Sequence, residues 1–382
     1  MELYVHIPFC VRKCLYCDFL SFTADDTMKD RYIDALIKEL GNYSGLLKTV
    51  SGFDTVFIGG GTPSVLNCRQ TEKLLLAVAD RTGERAEFTI ECNPGTIEKD
   101  KLKLFRDFGV NRLSLGLQSA DGAELKTLGR IYSYEDFLRS FEYAREAGFT
   151  NINADLMSGL PGQDLMSFEN TIRKVAGLKP EHISAYSLII EPGTAFFDMY
   201  GENGTKKDML PSEDDERDMY HLTGTLLKEY GYRRYEISNY SLPGYECRHN
   251  LGYWKGEEYL GIGIGAASYI NNARYKNTGS IEKYMACIES GDFGQLEKIR
   301  EEAEVIEGDE RIKEYIVLRL RLTEGIDLKD FENRFGFTIE KRYGRVIEKN
   351  IKFGLLEYGE GFLYPTEKGM DLSNTVMVDF LD

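Results

Sequence analysis

The residues with the most distinctive chemistry stand near the start of the chain, in the run His6-Ile7-Pro8-Phe9-Cys10-Val11-Arg12-Lys13-Cys14-Leu15-Tyr16-Cys17-Asp18-Phe19. Cys10, Cys14 and Cys17 have C-x3-C-x2-C spacing, and thiolates so placed on an irregular loop can converge on one soft metal centre. Three is the informative number. Structural zinc sites close with four ligands and iron–sulfur clusters usually take four cysteines, so three thiolates leave one metal ion open to an outside ligand. Two plainer chemistries compete. Cys14 and Cys17 could form a redox or zinc pair, and His6 could complete a Cys3His zinc site. Against these, His6 falls inside an apolar run, residues 3–7, that reads as a strand, and no second C-x2-C knuckle follows.

The elements that must position this loop alternate from residue 1 to about 190. Strand candidates occupy residues 3–7, 55–58, 87–92, 112–117, 151–157 and 182–189. Between the first two, Ile33, Leu36, Ile37 and Leu40 fall on one helical face, with Gly41 placed to end it. Phe137, Leu138, Phe141, Ala144 and Ala147 make a second stripe, closed by Gly148. Repeated strand–helix alternation implies parallel strands with right-handed crossovers. The fold class read from this is α/β. Six units suit an open, partial (β/α)6 barrel better than a closed eightfold one, although periodicity alone does not separate it from a doubly wound sheet.

Parallel α/β folds place their chemistry at the C-terminal ends of strands. After the second strand comes Gly59-Gly60-Gly61-Thr62-Pro63, which is neither a dinucleotide fingerprint nor a P-loop. The third ends in Glu91-Cys92-Asn93-Pro94-Gly95 and the fourth in Gly116-Leu117-Gln118-Ser119, with Arg130 opening the next helical region. The fifth carries Asp155, then Gly159-Leu160-Pro161-Gly162. Singly, these have ordinary roles: a glycine run is a turn, Glu91 or Asp155 caps a helix, Arg130 makes a surface ion pair. Together they put a charged or amide group at successive strand ends, around the mouth onto which the cysteine loop opens. A guanidinium there can grip a carboxylate, and carboxylates can accept from hydroxyls or an ammonium group. A zwitterionic nucleoside needs those groups.

Taken jointly and in order, the His-Ile-Pro-Phe-Cys, Gly-Gly-Gly-Thr-Pro, Glu-Cys-Asn-Pro, Gly-Leu-Gln-Ser and Asp-Leu-Met-Ser-Gly-Leu-Pro-Gly blocks resemble the oxygen-independent coproporphyrinogen III oxidase-like radical S-adenosylmethionine (SAM) proteins, across roughly residues 1–290. The resemblance implies a radical SAM barrel whose [4Fe-4S] cluster is held by Cys10, Cys14 and Cys17, with SAM on the fourth iron. It implies SAM contacts at Tyr4, Tyr16, Gly60, Gly61, Thr62, Glu91, Gln118, Arg130 and Asp155, and leaves open whether one or two SAM molecules bind.

Past residue 190 the alternation weakens. Residues 201–208 read as a loop, and Ser212 caps an acidic helix start, Glu213-Asp214-Asp215-Glu216, placed well against the helix dipole. A strand over 232–237 leads to Arg248-His249-Asn250-Leu251-Gly252-Tyr253-Trp254. His249 is one of four histidines and Trp254 the sole tryptophan. A loop histidine beside aromatics is commonly a hydrogen-bonded structural residue, but imidazole with large rings also suits a flat iron macrocycle. His-Asn-x-x-Tyr-Trp resembles the motif of the HemW branch, the haem chaperones of this superfamily, which implies haem contacts at His249, Tyr253 and Trp254. Residues 297–311 read as a charge-rich connecting helix or linker. Helices and a hairpin over 354–364 follow, so residues 1–295 are expected to form the barrel and 296–382 a winged-helix-like C-terminal domain, read as a lid or docking unit.

Composition bounds the partners. A net charge of −16 argues against nucleic acid, which needs a basic surface. Arg233-Arg234 and the Arg319, Arg321 pair read as solvated basic islands. Seven cysteines with three clustered do not resemble a disulfide framework, and no signal or membrane-length apolar segment is visible, so a cytoplasmic protein is expected. The resemblance implies haem, haem-accepting proteins, an electron donor for the cluster, and a peripheral membrane contact during haem delivery. The catalytic alternatives are a coproporphyrinogen III dehydrogenase or a radical SAM methyltransferase using a 5′-deoxyadenosyl radical; a zinc-stabilised binding module is the third class. The dehydrogenase pattern would place a further cysteine at Phe19 and an extension ahead of the first strand, so dehydrogenase activity is expected to be absent.

Overall fold

The computed structural model describes residues 1–43, 45, 52–290 and 296–381. The expected division after residue 295 falls at 291–295, outside the described residues. β1 (Glu2–Ile7), β2 (Phe53–Gly60), β3 (Thr82–Cys92), β4 (Arg112–Gln118), β5 (Ile152–Ser158) and β6 (His182–Ser187) pair in parallel, each with the next. Their spatial order equals their chain order. A doubly wound sheet would reverse about an inner strand, so the partial barrel is the architecture adopted.

The curl does not close. Beyond β6 the sheet continues into an antiparallel hairpin, β7 (Arg233–Arg234) and β8 (Asn239–Ser241), with β8 next to β6. On its other edge β1 pairs in parallel with β9 (Tyr259–Ile262), followed by antiparallel β10 (Ala267–Ile270), β11 (Ala273–Asn277) and β12 (Arg300–Val305). The strands alternate: Leu3, Val5, Ile7, Leu113, Leu115 and Leu117 pack into the main hydrophobic core and are fully buried, while Tyr4, Arg112 and Ser114, alternating with them, line the cavities. The helix Asp26–Asn42 buries Ile33, Leu36 and Leu40, and Tyr134–Glu146 buries Phe137, Phe141 and Ala144 behind a Ser133–Asp136 capping box.

Helices Gly308–Arg319, Leu328–Phe335 and Ile339–Lys352 precede the hairpin β14 (Leu356–Gly359) and β15 (Phe362–Pro365), to which β13 (Ile326–Asp327) adds a third strand. They enclose their own core, including Ile316, Phe331, Ile347 and Leu363, as a winged-helix-like unit does.

Four local expectations change. Residues 300–305 form an edge strand rather than a linker, and their exposed glutamates discourage further pairing. The strand read over 232–237 shrinks to Arg233–Arg234, because the chain turns back at once to form β8. The His249 stretch is a helix, Arg248–Lys255, not a loop. Arg319 is buried rather than a solvated island, and Arg321 lies over the Trp254 ring at 4.3 Å.

Candidate functional site

The strand ends and the cysteine loop enclose a cavity of about 520 Å³ lined by Cys10, Cys14 and Cys17. Backbone bonds pin the loop: Cys10 N–H donates to the Phe22 carbonyl (3.0 Å), Leu15 N–H to Leu128 (3.1 Å) and Thr62 N–H to Phe9 (2.8 Å). Cys10 Sγ lies 3.5 Å from Thr62 Oγ1. Burial pushes the Cys14 and Cys17 thiols up, while the Arg130 charge opposes it at Cys14. His6 is not turned toward them. Its Nδ1 lies 3.0 Å from the Tyr4 hydroxyl and its Nε2 2.9 Å from the Leu20 carbonyl, so both nitrogens are engaged elsewhere. Among the described residues no three His, Cys, Asp or Glu side chains gather on one ion position. Three thiols lining one cavity, with His6 engaged elsewhere, are a donor set that fits an iron–sulfur cluster.

Gly60 has φ +112°, and a Cβ there would lie 2.5 Å from the His6 ring; at Gly61 it would lie 2.8 Å from the Phe9 carbonyl oxygen. The glycine run therefore lets the cysteine-bearing segment lie directly on β2. Gly60 N–H donates to Glu91 Oε2 at 3.0 Å, and Thr62 Oγ1 accepts from Asn93 Nδ2 at 2.9 Å. At the end of β4 a register shift between Gly116 and Gln118 leaves Gln118 at φ +76°, where its Oε1 accepts from the Tyr186 hydroxyl at 2.9 Å. A bulge and a left-handed non-glycine residue at one strand end re-aim a side chain into the mouth.

Arg130 lies over the rings of Tyr16 and Tyr132 and donates to the Tyr16 hydroxyl and to Asn93 Oδ1, yet its Nε is buried without a partner. On the same cavity, burial and then the Asp155 charge push Glu91 up to about 8, and burial raises Asp155 as well. An underused guanidinium and two carboxylates kept above their usual range, sharing one cavity, fit a ligand with both an anionic and a cationic group. Of the nine residues expected to meet such a ligand, the structure brings eight to this cavity: Tyr16, Gly60, Gly61, Thr62, Glu91, Gln118, Arg130 and Asp155. Tyr4 is not among them. Its ring stacks on Phe57 (6.4 Å, 28°) and faces a second cavity. Arg112, fully inside the barrel with Nε unpartnered, lines the mouth cavity and was legible only as a polar residue opening an apolar strand.

The second cavity, about 720 Å³, lies between β9–β11, the helix Arg248–Lys255 and the C-terminal domain. His249, Tyr253 and Trp254 all line it. Helical spacing puts His249 and Tyr253 on one face, with Nε2 3.0 Å from the Tyr253 hydroxyl, while Nδ1 lies 2.7 Å from Thr55 Oγ1. Phe57 stacks on the imidazole at 5.2 Å and 25°. Burial, then the Arg112 charge, pushes His249 down to about 3, so the ring is neutral. Phe57 and Asn250 line both cavities and form their common wall.

Parallel strands in chain order and a three-thiolate loop at their ends define a radical SAM fold, and the Radical SAM superfamily model matches residues 4–175. The HemN C-terminal domain model matches residues 306–372. Relatives called heme chaperone HemW share 39% identity in Lactococcus lactis (99% of this chain, 96% of the relative) and 37% in Bacillus subtilis (99% and 98%). The solved coproporphyrinogen III oxidase (HemN) of Escherichia coli, a radical SAM enzyme, superposes with a TM-score of 0.84 at 25% identity, covering 99% of this chain and 89% of that one. The chain belongs to the HemW family of radical SAM proteins.

Proposed function

We propose that this chain is a cytoplasmic haem carrier that holds a [4Fe-4S] cluster on Cys10, Cys14 and Cys17, SAM in the mouth cavity and haem in the aromatic cavity, and passes haem to acceptor proteins. The observation that carries the reading is the pair of adjoining cavities, with neutral His249 on the aromatic one behind the wall shared by Phe57 and Asn250. When bound and supplied by an outside electron donor, the cluster would provide one-electron chemistry. The chain's own residues do the rest. Arg130 would meet the carboxylate of SAM, Glu91 and Asp155 would accept from its ammonium or ribose groups, and the bulge at Gln118 would border the same cavity. His249 would hold the haem iron through an imidazole nitrogen, and the Tyr253 hydroxyl that now engages Nε2 would have to release it. Tyr4 serves the aromatic cavity in this reading, and the division between barrel and C-terminal domain follows β12, which still pairs with the barrel's sheet, at about residue 306.

The catalytic alternative is less well supported, because Phe19 stands where the dehydrogenase pattern has a further cysteine. Haem titration of anaerobically reconstituted protein, with and without SAM, tests the proposal. Cys14→Ser should lose iron and sulfide first and keep haem, while His249→Ala should weaken haem binding and keep the cluster. A haem spectrum and affinity unchanged in His249→Ala would refute the haem assignment.

A further inference from the structure

The aromatic cavity has one wall that the helix bearing His249 does not supply. It is a single face of the helix Gly308–Arg319, where Arg311, Glu314, Tyr315, Leu318 and Arg319 recur at helical spacing and all line the cavity. Arg319 is 8% exposed, and its polar contacts are long: Nη1 is 4.0 Å from Glu324, and Nη2 is 3.5 Å from both Asp330 and the Lys255 carbonyl. Its Nε is buried without a partner. Asp330 is committed elsewhere, since it accepts from Arg334 Nε at 2.9 Å and from the Tyr315 hydroxyl at 2.8 Å. Arg319 is thus a buried guanidinium with unused donors, facing a ligand-sized space. At the exposed end of the same face, Arg311 enters no ion pair among the described residues.

The other charges on the cavity are largely spoken for. Glu314 pairs with Arg274, and Glu258 accepts from Asn271 N–H at 2.6 Å, which leaves Glu257 exposed beside the cavity. The opposite wall is a run of rings: Tyr253 meets Tyr259 edge-on at 4.6 Å, and Tyr259 meets Tyr269 at 6.2 Å. Rings on one side, and on the other a loosely held guanidinium with an orphaned Nε and a second one outside any ion pair among the described residues, recognise a flat conjugated body with anions at its edge.

We infer that Arg319, with Arg311, is the carboxylate-recognising edge of the aromatic cavity, and that its ligand is a planar macrocycle carrying two carboxylates. The C-terminal domain is then half of the binding site rather than a cover over it. The inference rests on the haem reading above and adds which end of the macrocycle the protein grips.

The test compares iron protoporphyrin IX with its dimethyl ester, titrated by absorbance into full-length reconstituted protein. Wild type should bind the diacid about tenfold or more tightly than the ester, and Arg319→Met should lose that preference with little change in ester affinity. Arg311→Met, at an exposed position, should reduce the preference in part and guards against misfolding of the buried variant. His249→Ala should weaken acid and ester alike, preserving their ratio. Equal affinity of wild type for acid and ester, or equal loss of both in Arg319→Met, would overturn the inference while leaving the haem reading intact. Failure of wild type to bind either compound would instead sink the haem reading itself.

Discussion

Replacing Glu91 by Gln should stabilise the cofactor-free protein, increasingly so as pH rises. Glu91 lies against Gly60 N–H and shares a cavity with Asp155, and burial raises it from an ordinary 4.5 to about 8. A carboxyl raised on folding contributes stability that is complete below its unfolded pKa and is lost as pH climbs through the folded one. The interval from 4.5 to about 8 corresponds to ~5 kcal/mol at about 1.4 kcal/mol per pH unit. The side chain borders an open cavity, so screening cuts this to ~2 kcal/mol. The gain of Glu91→Gln over wild type should therefore be near zero at pH 4.5–5 and reach ~2 kcal/mol by pH 8, a few degrees in melting temperature. Glu2 and Glu39 are also raised, to about 8 and about 7, so both proteins lose stability with pH and only their difference reports on Glu91. The assay is thermal and denaturant unfolding of apo protein at half-unit pH steps. SAM affinity supplies a second readout: it should fall with falling pH in wild type, as Glu91 takes up its proton, and respond less in the variant. Parallel stability curves for the two proteins from pH 5 to 8 would refute the reasoning.

Gly252→Ala would drive a Cβ into the buried Glu2 carboxylate, so it should cost ~2 kcal/mol and shift the haem spectrum through His249; a denaturation midpoint equal to wild type would contradict that packing. Arg130→Met should weaken SAM binding about 30-fold, the worth of a charge-assisted hydrogen-bond pair, with thermal stability held or raised as the orphaned Nε disappears; equilibrium dialysis decides it. Anaerobic incubation with coproporphyrinogen III, SAM and reductant should yield no protoporphyrinogen by chromatography, and turnover would return the catalytic reading.

The mouth cavity was legible because its signals are local. Cys10, Cys14 and Cys17 are close in sequence, and each strand end advertises itself by a polar residue or glycine after an apolar run. Tyr4 reads with the mouth residues in the sequence, whereas its ring stacks on Phe57, its partner across β1 and β2, at the wall between the two cavities; pairing between strands distant in sequence sets that placement. The aromatic cavity was half legible. The rings around His249 were visible, but the helical spacing that joins it to Tyr253 was hidden by an apparent loop composition. Arg319 was misjudged because charge density alone cannot distinguish solvated surface from an interface between two cores.

By itself, then, the sequence determined the thiolate loop, the parallel strands and the ring of polar strand ends, since these follow from short spacings and periodicity. Tertiary structure decided what long-range packing alone can set: that Phe57 and Asn250 divide two adjoining cavities, that Arg112 lies inside the barrel, and that a C-terminal helix brings a buried guanidinium with an orphaned Nε to the aromatic one.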